Sequence, residues 1–331
     1  MAVSSGDSEA IRRWRAALAD AGFAGGNPVS FHCSQLLDPK GDRKAAEAAY
    51  RALLNTLPDH VDGLEGLAFL LQLQGRAGEA LPYRKRLISQ RIRGLGVDAT
   101  HQSEATTYLL AGEGRVAPPE QAPSEYVRCL FDRYARQFDA HLVDRLHYDG
   151  PELLYDTLRR IIVLRPRALD VLDIGCGTGL AGAAFRRVAR TLDGLDLSRA
   201  MLERAEARAI YDRLDQGEIV GELPRLGRRY DLVVAADVLV YFGDLIPVFT
   251  AVRGVLKDRG HFVFSVEKGD ADGFRLRSSG RYQHHPDYVH QVADGVRLET
   301  LHCREATLRE QDDQPVTAVV FVLRRASGNT A

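Results

Sequence analysis

Residues 171–180 read VLDIGCGTGL: an apolar run ends in the carboxylate Asp173 and passes at once into three alternate glycines, Gly175, Gly177 and Gly179. A glycine turn between a strand and a helix brings backbone close to a ligand, and the helix N-terminus behind it attracts anions. Dinucleotide loops space their glycines as G-x-G-x-x-G, whereas this loop is G-x-G-x-G. Asp173 sets a negative charge two residues before the first glycine, where it opposes a pyrophosphate. The expected ligand therefore has a cationic amine and no phosphate at this end. Asp196 ends the next apolar run, 21 residues after Gly175. A carboxylate there accepts hydrogen bonds from both hydroxyls of a ribose.

Groups able to move a proton cluster further along. Tyr241 follows the apolar run 230–235, Glu267 follows the run 261–266, and "GRYQHHPDYVH" supplies His284, His285 and His290. A histidine there works near neutral pH, and His284 and Tyr241 are the catalytic candidates. No metal site is expected of the three histidines, because no carboxylate or thiolate pair is spaced to complete one. The four cysteines, at 33, 129, 176 and 303, form no C-x-x-C pair, so neither a disulfide framework nor a zinc knuckle is expected. Reduced thiols fit a cytoplasmic setting. Cys176 reads as a small loop residue rather than a nucleophile.

These residues need elements to hold them. The chain has 331 residues, 45% of them hydrophobic, enough for one large and one smaller domain. Its formal net charge of -1 exerts no general pull on nucleic acid. The N-terminus lacks the apolar centre of a signal peptide, and no run reaches membrane-spanning length. Residues 1–95 read as helical, with Ala46, Tyr50 and Leu53 or Leu54 on one face of a helix that Pro58 ends. Ala46 and Ala80 are 34 residues apart, as are Gly41 and Gly75, a period that resembles a tetratricopeptide pair with Leu64, Leu67 and Ala68 at its signature positions. Residues 96–125 read as an extended, proline-rich linker. In 126–331, Tyr126, Leu130, Tyr134 and Phe138 recur at helical spacing. Strands then alternate with helices: ALDVLDI, TLDGLDL, a short GEIVGEL, YDLVVAADVLVY and GHFVFSVE. The expectation is a doubly wound Rossmann-like sheet. The last two strands, either side of EQDDQ, must form a hairpin because no crossover helix fits.

S-adenosyl-L-methionine carries both an ammonium and a sulfonium and so suits the ligand inferred above. "VLDIGCGTGL", "LDLS", "AMLERA" and "YDLVVAADVLVYFGDL" resemble class I S-adenosylmethionine-dependent methyltransferases, and with the helical region the chain is similar to the bacterial branch with N-terminal tetratricopeptide repeats. The resemblance implies a seven-stranded sheet with one antiparallel strand and a methyl transfer by in-line displacement. It implies that Asp173, Gly175, Cys176, Gly177, Thr178 and Gly179 hold the methionyl end, Asp196 the ribose, and Leu197, Ser198 and Met201 the neighbourhood of the adenine. Glu218 and Ile219 fall where an acidic–apolar pair reads the adenine edge, Asp237 and Val238 line the reactive side, and Tyr134 and Phe138 form a lid. The sequence ADVLVYF replaces the amino-group site of exocyclic-amine methylases, which favours an oxygen or carbon acceptor on a small molecule. The alternatives are a protein methyltransferase docking a peptide on the repeats, and a non-catalytic S-adenosylmethionine-binding module. The helical region also leaves room for a protein partner or a homodimer.

Overall fold

The computed structural model describes residues 5–20, 42–139, 148–311 and 314–326. The chain divides into two compact units, Met1–Thr106 and Thr107–Ala331.

The first unit holds α1 (Ser5–Asp20), α2 (Arg43–Thr56), α3 (Val61–Leu73) and α4 (Ala77–Leu95). Asp42 starts α2 by accepting the amides of Lys44 and Ala45 at 3.0 and 3.1 Å. The face predicted for α2 is buried, with Ala46, Tyr50 and Leu53 inside. Gly66 permits a close helix crossing, since a Cβ there would lie 2.4 Å from the Tyr50 ring. Ala46 and Ala80 are both fully buried, and Leu64, Leu67 and Ala68 join the same interior. Gly41, the partner of Gly75 in the 34-residue spacing, lies outside the described residues.

Residues 96–125 depart from the linker expectation. Gln102–Gly112 is a helix, α5, with Tyr108, Leu110 and Ala111 buried. The Tyr108 hydroxyl donates to the Gly280 carbonyl at 2.7 Å, and Gly112 lies so close to the Arg277 carbonyl that a Cβ would meet it at 2.5 Å. The proline stretch after it is extended but not free. The Glu120 carbonyl accepts the amides of Gly243 and Asp244 at 2.7 and 2.8 Å, the Pro119 carbonyl accepts from the Tyr282 hydroxyl, and the Ala122 amide donates to Tyr241. Proline has no amide hydrogen but keeps its carbonyl, so such a strap binds through its acceptors.

Then come α6 (Ser124–Tyr134) with a short 3-10 turn to Gln137, and α7 (Gly150–Ile161). The sheet is built from β1 (Leu169–Ile174), β2 (Ala189–Asp196), β3 (Arg213–Gln216), β4 (Tyr230–Ala235) and β5 (Leu256–Lys268), parallel in the order β3-β2-β1-β4-β5. The helical segments between them are α8 (Leu180–Phe185), α9 (Arg199–Ala207), α10 (Ile219–Glu222) and α11 (Ile246–Val255). After β5 come β6 (Phe274–Leu276), β7 (Tyr282–His284), α12 (Pro286–Gly295), β8 (Leu298–Gln311) and β9 (Gln314–Arg325). As expected of the closing hairpin, β9 is antiparallel to both β8 and β5. Apolar side chains cover both faces of the sheet, one centred on Phe249, Phe262 and Phe264, the other on Leu158, Phe185 and Leu192. This is a Rossmann-like α/β fold with a mixed sheet.

Two strand expectations change. The described sheet has nine strands rather than seven, because β6 and β7 form a three-residue hairpin beside the end of β5, too short to show a period. GEIVGEL is not a strand. The third strand lies just upstream, at the polar Arg213–Gln216, and Glu218 instead caps α10, its Oε2 accepting the Gly221 amide at 2.8 Å.

Candidate active site

A cavity of about 590 Å³ opens at the carboxyl ends of the parallel strands, where α/β sheets bind ligands. Its floor is the turn between β1 and α8. Gly175, Gly177 and Gly179 have φ of 65°, 54° and 93°, a left-handed path that only glycine follows without strain. The amides of Gly175 and Cys176 donate to the Leu195 carbonyl at 2.8 and 3.1 Å, Gly177 to Asp196 Oδ2 at 2.8 Å, and Gly179 to the Cys176 carbonyl at 2.9 Å. Four amides that a phosphate site would present are thus satisfied internally.

Asp196 lines the cavity and also accepts the Ser198 amide at 2.8 Å. Burial pushes its carboxyl up to about 6, against the pull of those amides. Asp173 behaves differently from expectation. It is buried behind the loop and is not part of the cavity wall; its Oδ2 accepts from the Tyr211 hydroxyl at 2.7 Å and its Oδ1 is enclosed without a partner. Burial raises it to about 7. A side chain alternates faces along a strand, and this one turns into the packing under α8. The obstacle to phosphate is therefore the internal bonding of these four loop amides rather than the Asp173 charge.

The other residues implied for the cofactor, Gly179 excepted, meet at this cavity. Cys176, Thr178, Leu197, Ser198, Met201, Glu218, Ile219, Asp237, Val238, Tyr134 and Phe138 all line it. Ser198 caps α9, accepting the Met201 amide at 3.2 Å, and its Oγ donates to Asp132 of α6 at 2.5 Å. Glu218 keeps a second oxygen, Oε1, buried without a partner. Cys176 is buried, and burial lifts its thiol far above the usual range, which removes it as a nucleophile. Tyr134 and Phe138 pack edge to face at 5.3 Å, and Phe131 bridges Phe138 to Tyr241. Asp139 fastens this segment to the loop by accepting from Thr178 Oγ1 at 2.5 Å and Arg208 Nη2 at 2.6 Å.

The wall over β4 and β5 is charged. Asp237, held at φ 57°, accepts from Arg281 Nη2 and from Arg309 Nη1, the latter at 3.3 Å. Glu267 Oε1 accepts Arg281 Nε at 2.6 Å and Arg309 Nη2 at 2.7 Å. Burial opposes ionisation of Glu267, yet the two arginines hold it below the usual carboxylate range. It is thus an ion-paired anchor rather than a base. Tyr241 lines the cavity, and burial raises its phenol, with the Arg281 guanidinium that bonds it opposing, so the phenol stays protonated. His284 is corrected as a catalytic candidate. It is fully buried in β7, its Nε2 is 2.9 Å from the Phe242 carbonyl, and burial lowers it to about 4. A neutral ring turned onto a backbone carbonyl props the 241–244 loop. His285 caps α12, accepting the Asp287 amide at 3.2 Å. Sequence reasoning missed Tyr148, Arg281 and Arg309, all on the cavity wall. Arg281 and Arg309 sit in different elements, 28 residues apart, and no spacing rule joins them.

Residues 172–262 match the family model described as a methyltransferase domain. The biotin biosynthesis bifunctional protein of Saccharophagus degradans is 26% identical over 195 residues, 56% of this chain and 34% of that protein. A malonyl-(acyl-carrier protein) O-methyltransferase of Methylovorus sp. is 34% identical over 149 residues, 42% of this chain and 49% of that protein. The chain therefore spans about a third to a half of the length of these curated relatives. Among solved structures, that of the N-methyltransferase NodS from Bradyrhizobium japonicum in complex with S-adenosyl-L-homocysteine covers 60% of this chain and 97% of its own, at 19% identity and a TM-score of 0.48. On the family match, residues 172–262 of this chain are similar to a methyltransferase domain, and the Methylovorus relative is a methyltransferase by name.

Proposed function

We propose that the protein transfers a methyl group from S-adenosylmethionine to an oxygen or carbon atom of a small molecule. The observation that carries the reading is the loop after β1, in which the amides of Gly175, Cys176 and Gly177 are bound to Leu195 and Asp196 while Asp196 itself still faces the cavity. Such a loop suits a phosphate-free nucleoside. Asp196 accepts the ribose hydroxyls, Leu197 and Met201 flank the base, and Glu218 Oε1 is a buried acceptor in want of a donor such as the adenine amino group. The methionyl end lies along Gly175–Gly179. When bound, the donor supplies a methyl carbon already activated by its sulfonium.

The protein contributes alignment and exclusion of water. Tyr134 and Phe138 cover the donor side. The wall over β4 and β5, with Asp237 and Tyr241, is left to the acceptor. Oxygen is favoured by the names of the curated relatives, several of them O-methyltransferases. In the first unit, the equal burial of Ala46 and Ala80 supports a tetratricopeptide-like pair, a surface for a protein partner or a second copy in a cytoplasmic enzyme. A peptide docked there as the methyl acceptor is the second reading, which the same spacing favours.

Calorimetry with S-adenosylmethionine tests the central claim. Binding that Asp196→Ala abolishes is expected; no binding by the wild-type protein sinks it. Size fractionation of the products of labelled methyl transfer in a cell extract separates the two readings, since a peptide acceptor carries label into the macromolecular fraction.

A further inference from the structure

The acceptor wall carries two arginines and two carboxylates, Arg309 and Glu267 buried with side chains 6% exposed, Arg281 and Asp237 partly buried at 15%. They arrive from four places: the loop after β4, strand β5, the turn between β6 and β7, and strand β8. Resting on the methyl-transfer reading above, we propose that this wall selects a small acceptor that is itself a carboxylate, and that the protein converts it to its methyl ester.

Three observations support this. The first is a set of fixed donors. Arg281 and Arg309 both line the cavity, and Asp237 and Glu267 hold their planar forks in place. The Arg281 guanidinium also bonds the Tyr241 phenol, so these donors form one fixed network on the wall, and guanidinium edges match carboxylate oxygens in spacing and direction. The Tyr148 ring lies back over Gly150, where a Cβ would meet it at 2.4 Å, and it joins Tyr241 on the same wall. Both phenols stay protonated, raised by burial, and so donate to an anion rather than take up a proton.

The second is charge. The quartet sums to zero, so an arriving carboxylate meets oriented N–H and O–H groups without net repulsion, and its own charge complements a sulfonium across the cavity. The third is the state of the acids and of His284. Among the described residues, each acid on this wall is paired with both arginines, and His284 is turned onto the Phe242 carbonyl. An alcohol, phenol or carbon acid needs a proton removed as it reacts. A carboxylate does not. A lone pair on its oxygen forms the new carbon–oxygen bond as the carbon–sulfur bond of the donor breaks and that electron pair stays on sulfur. The products are a methyl ester and a neutral thioether. One negative and one positive charge disappear, and no proton is released.

The test uses the full-length protein with methyl-labelled donor, first in a bacterial extract and then with glutarate, octanoate and benzoate beside phenol and benzylamine. Label is expected in the small-molecule fraction and is released as methanol by mild alkali, because esters saponify while ethers, N-methylamines and C-methyl groups do not. Alkali-stable small-molecule label overturns the inference and leaves methyl transfer standing. Alkali-labile label on protein overturns the small acid as acceptor. Donor binding without label from any acid or extract overturns it too, and failure to bind donor at all removes the underlying reading. Calorimetry of the preferred acid supplies an independent readout. Arg281→Gln and Arg281→Lys are expected to weaken its binding by about tenfold or more, with donor affinity, the report of an intact fold, held within about twofold. Unchanged acid binding in both variants overturns the role given to the arginine fork.

Discussion

A carboxylate that accepts two backbone amides is fixed in direction, and Asp196 accepts those of Gly177 and Ser198. It therefore shapes the loop as well as facing the cavity. Replacing it by Asn keeps the size and removes the charge; donor affinity measured by calorimetry should fall by about 10- to 100-fold, as expected for charge-assisted hydrogen bonds lost from a buried site. Burial, with Asp132 nearby, sets its ionisation near pH 6. Above that pH the carboxylate is charged, the form that accepts hydroxyl donors most strongly. As pH falls from 6 to 5, donor binding should weaken by about fivefold, because the ionised fraction falls from about a half to about a tenth, and Asp196→Asn should flatten that dependence. Asp173 tests the opposite role. Its value, raised by burial to about 7, means that it takes up a proton on folding, so its contribution to stability is present in acid and is lost as pH rises through 7. The melting temperature of the wild type should thus drop between about pH 4 and 7 relative to that of Asp173→Asn and level off above it, while the variant's donor affinity stays within about twofold. Both aspartates were visible in the sequence at the ends of their strands. Which one faces the ligand was not, because strand side chains alternate and a one-residue difference in where the turn begins exchanges the faces.

At the scale of elements, the helix α6 was legible from Tyr126, Leu130 and Tyr134, a stripe of helical period that Phe138 continues past the helix end. Its polar attachments were not. Asp132 accepts from Ser198 Oγ and the Ala200 amide at the start of α9, and Asp139 accepts from Thr178 and Arg208. Both are charges on the outer side of the stripe, which a periodicity argument assigns to solvent. They latch the aromatic cover to the loop beneath it. The double variant Asp132→Ala, Asp139→Ala should raise the dissociation rate of S-adenosylmethionine in stopped-flow measurements by about tenfold, consistent with the loss of hydrogen bonds to charged groups, with the far-ultraviolet circular dichroism unchanged. The strap at 119–122 teaches the same lesson: its prolines suggest a free linker, yet its carbonyls bind the loop that carries Tyr241. The short polar strand Arg213–Gln216 was missed because one edge strand can be hydrophilic, while the apolar EIV after it spelled a strand and formed a capped helical turn.

Across the whole molecule, every residue lining the cavity comes from Gln121 or beyond, within the second unit. A chain beginning at residue 97, which retains α5 with its Tyr108 anchor, should bind S-adenosylmethionine within about threefold of the full-length affinity by calorimetry. A much larger loss would assign the first unit a direct part in donor binding. The sequence by itself determined the kind of fold, the place of the cofactor turn and the absence of a dinucleotide spacing, because these depend on local patterns: apolar runs, alternate glycines and a carboxylate at each strand end. Only the tertiary structure decided that Asp196 rather than Asp173 faces the cavity, that His284 is a buried prop, and that Arg281 and Arg309 stand together over Asp237 and Glu267. The reason is physical. A side chain's direction and its ionic partners are settled by packing between elements far apart in the chain, and hydrophobic pattern and residue spacing carry no record of which distant charges will meet.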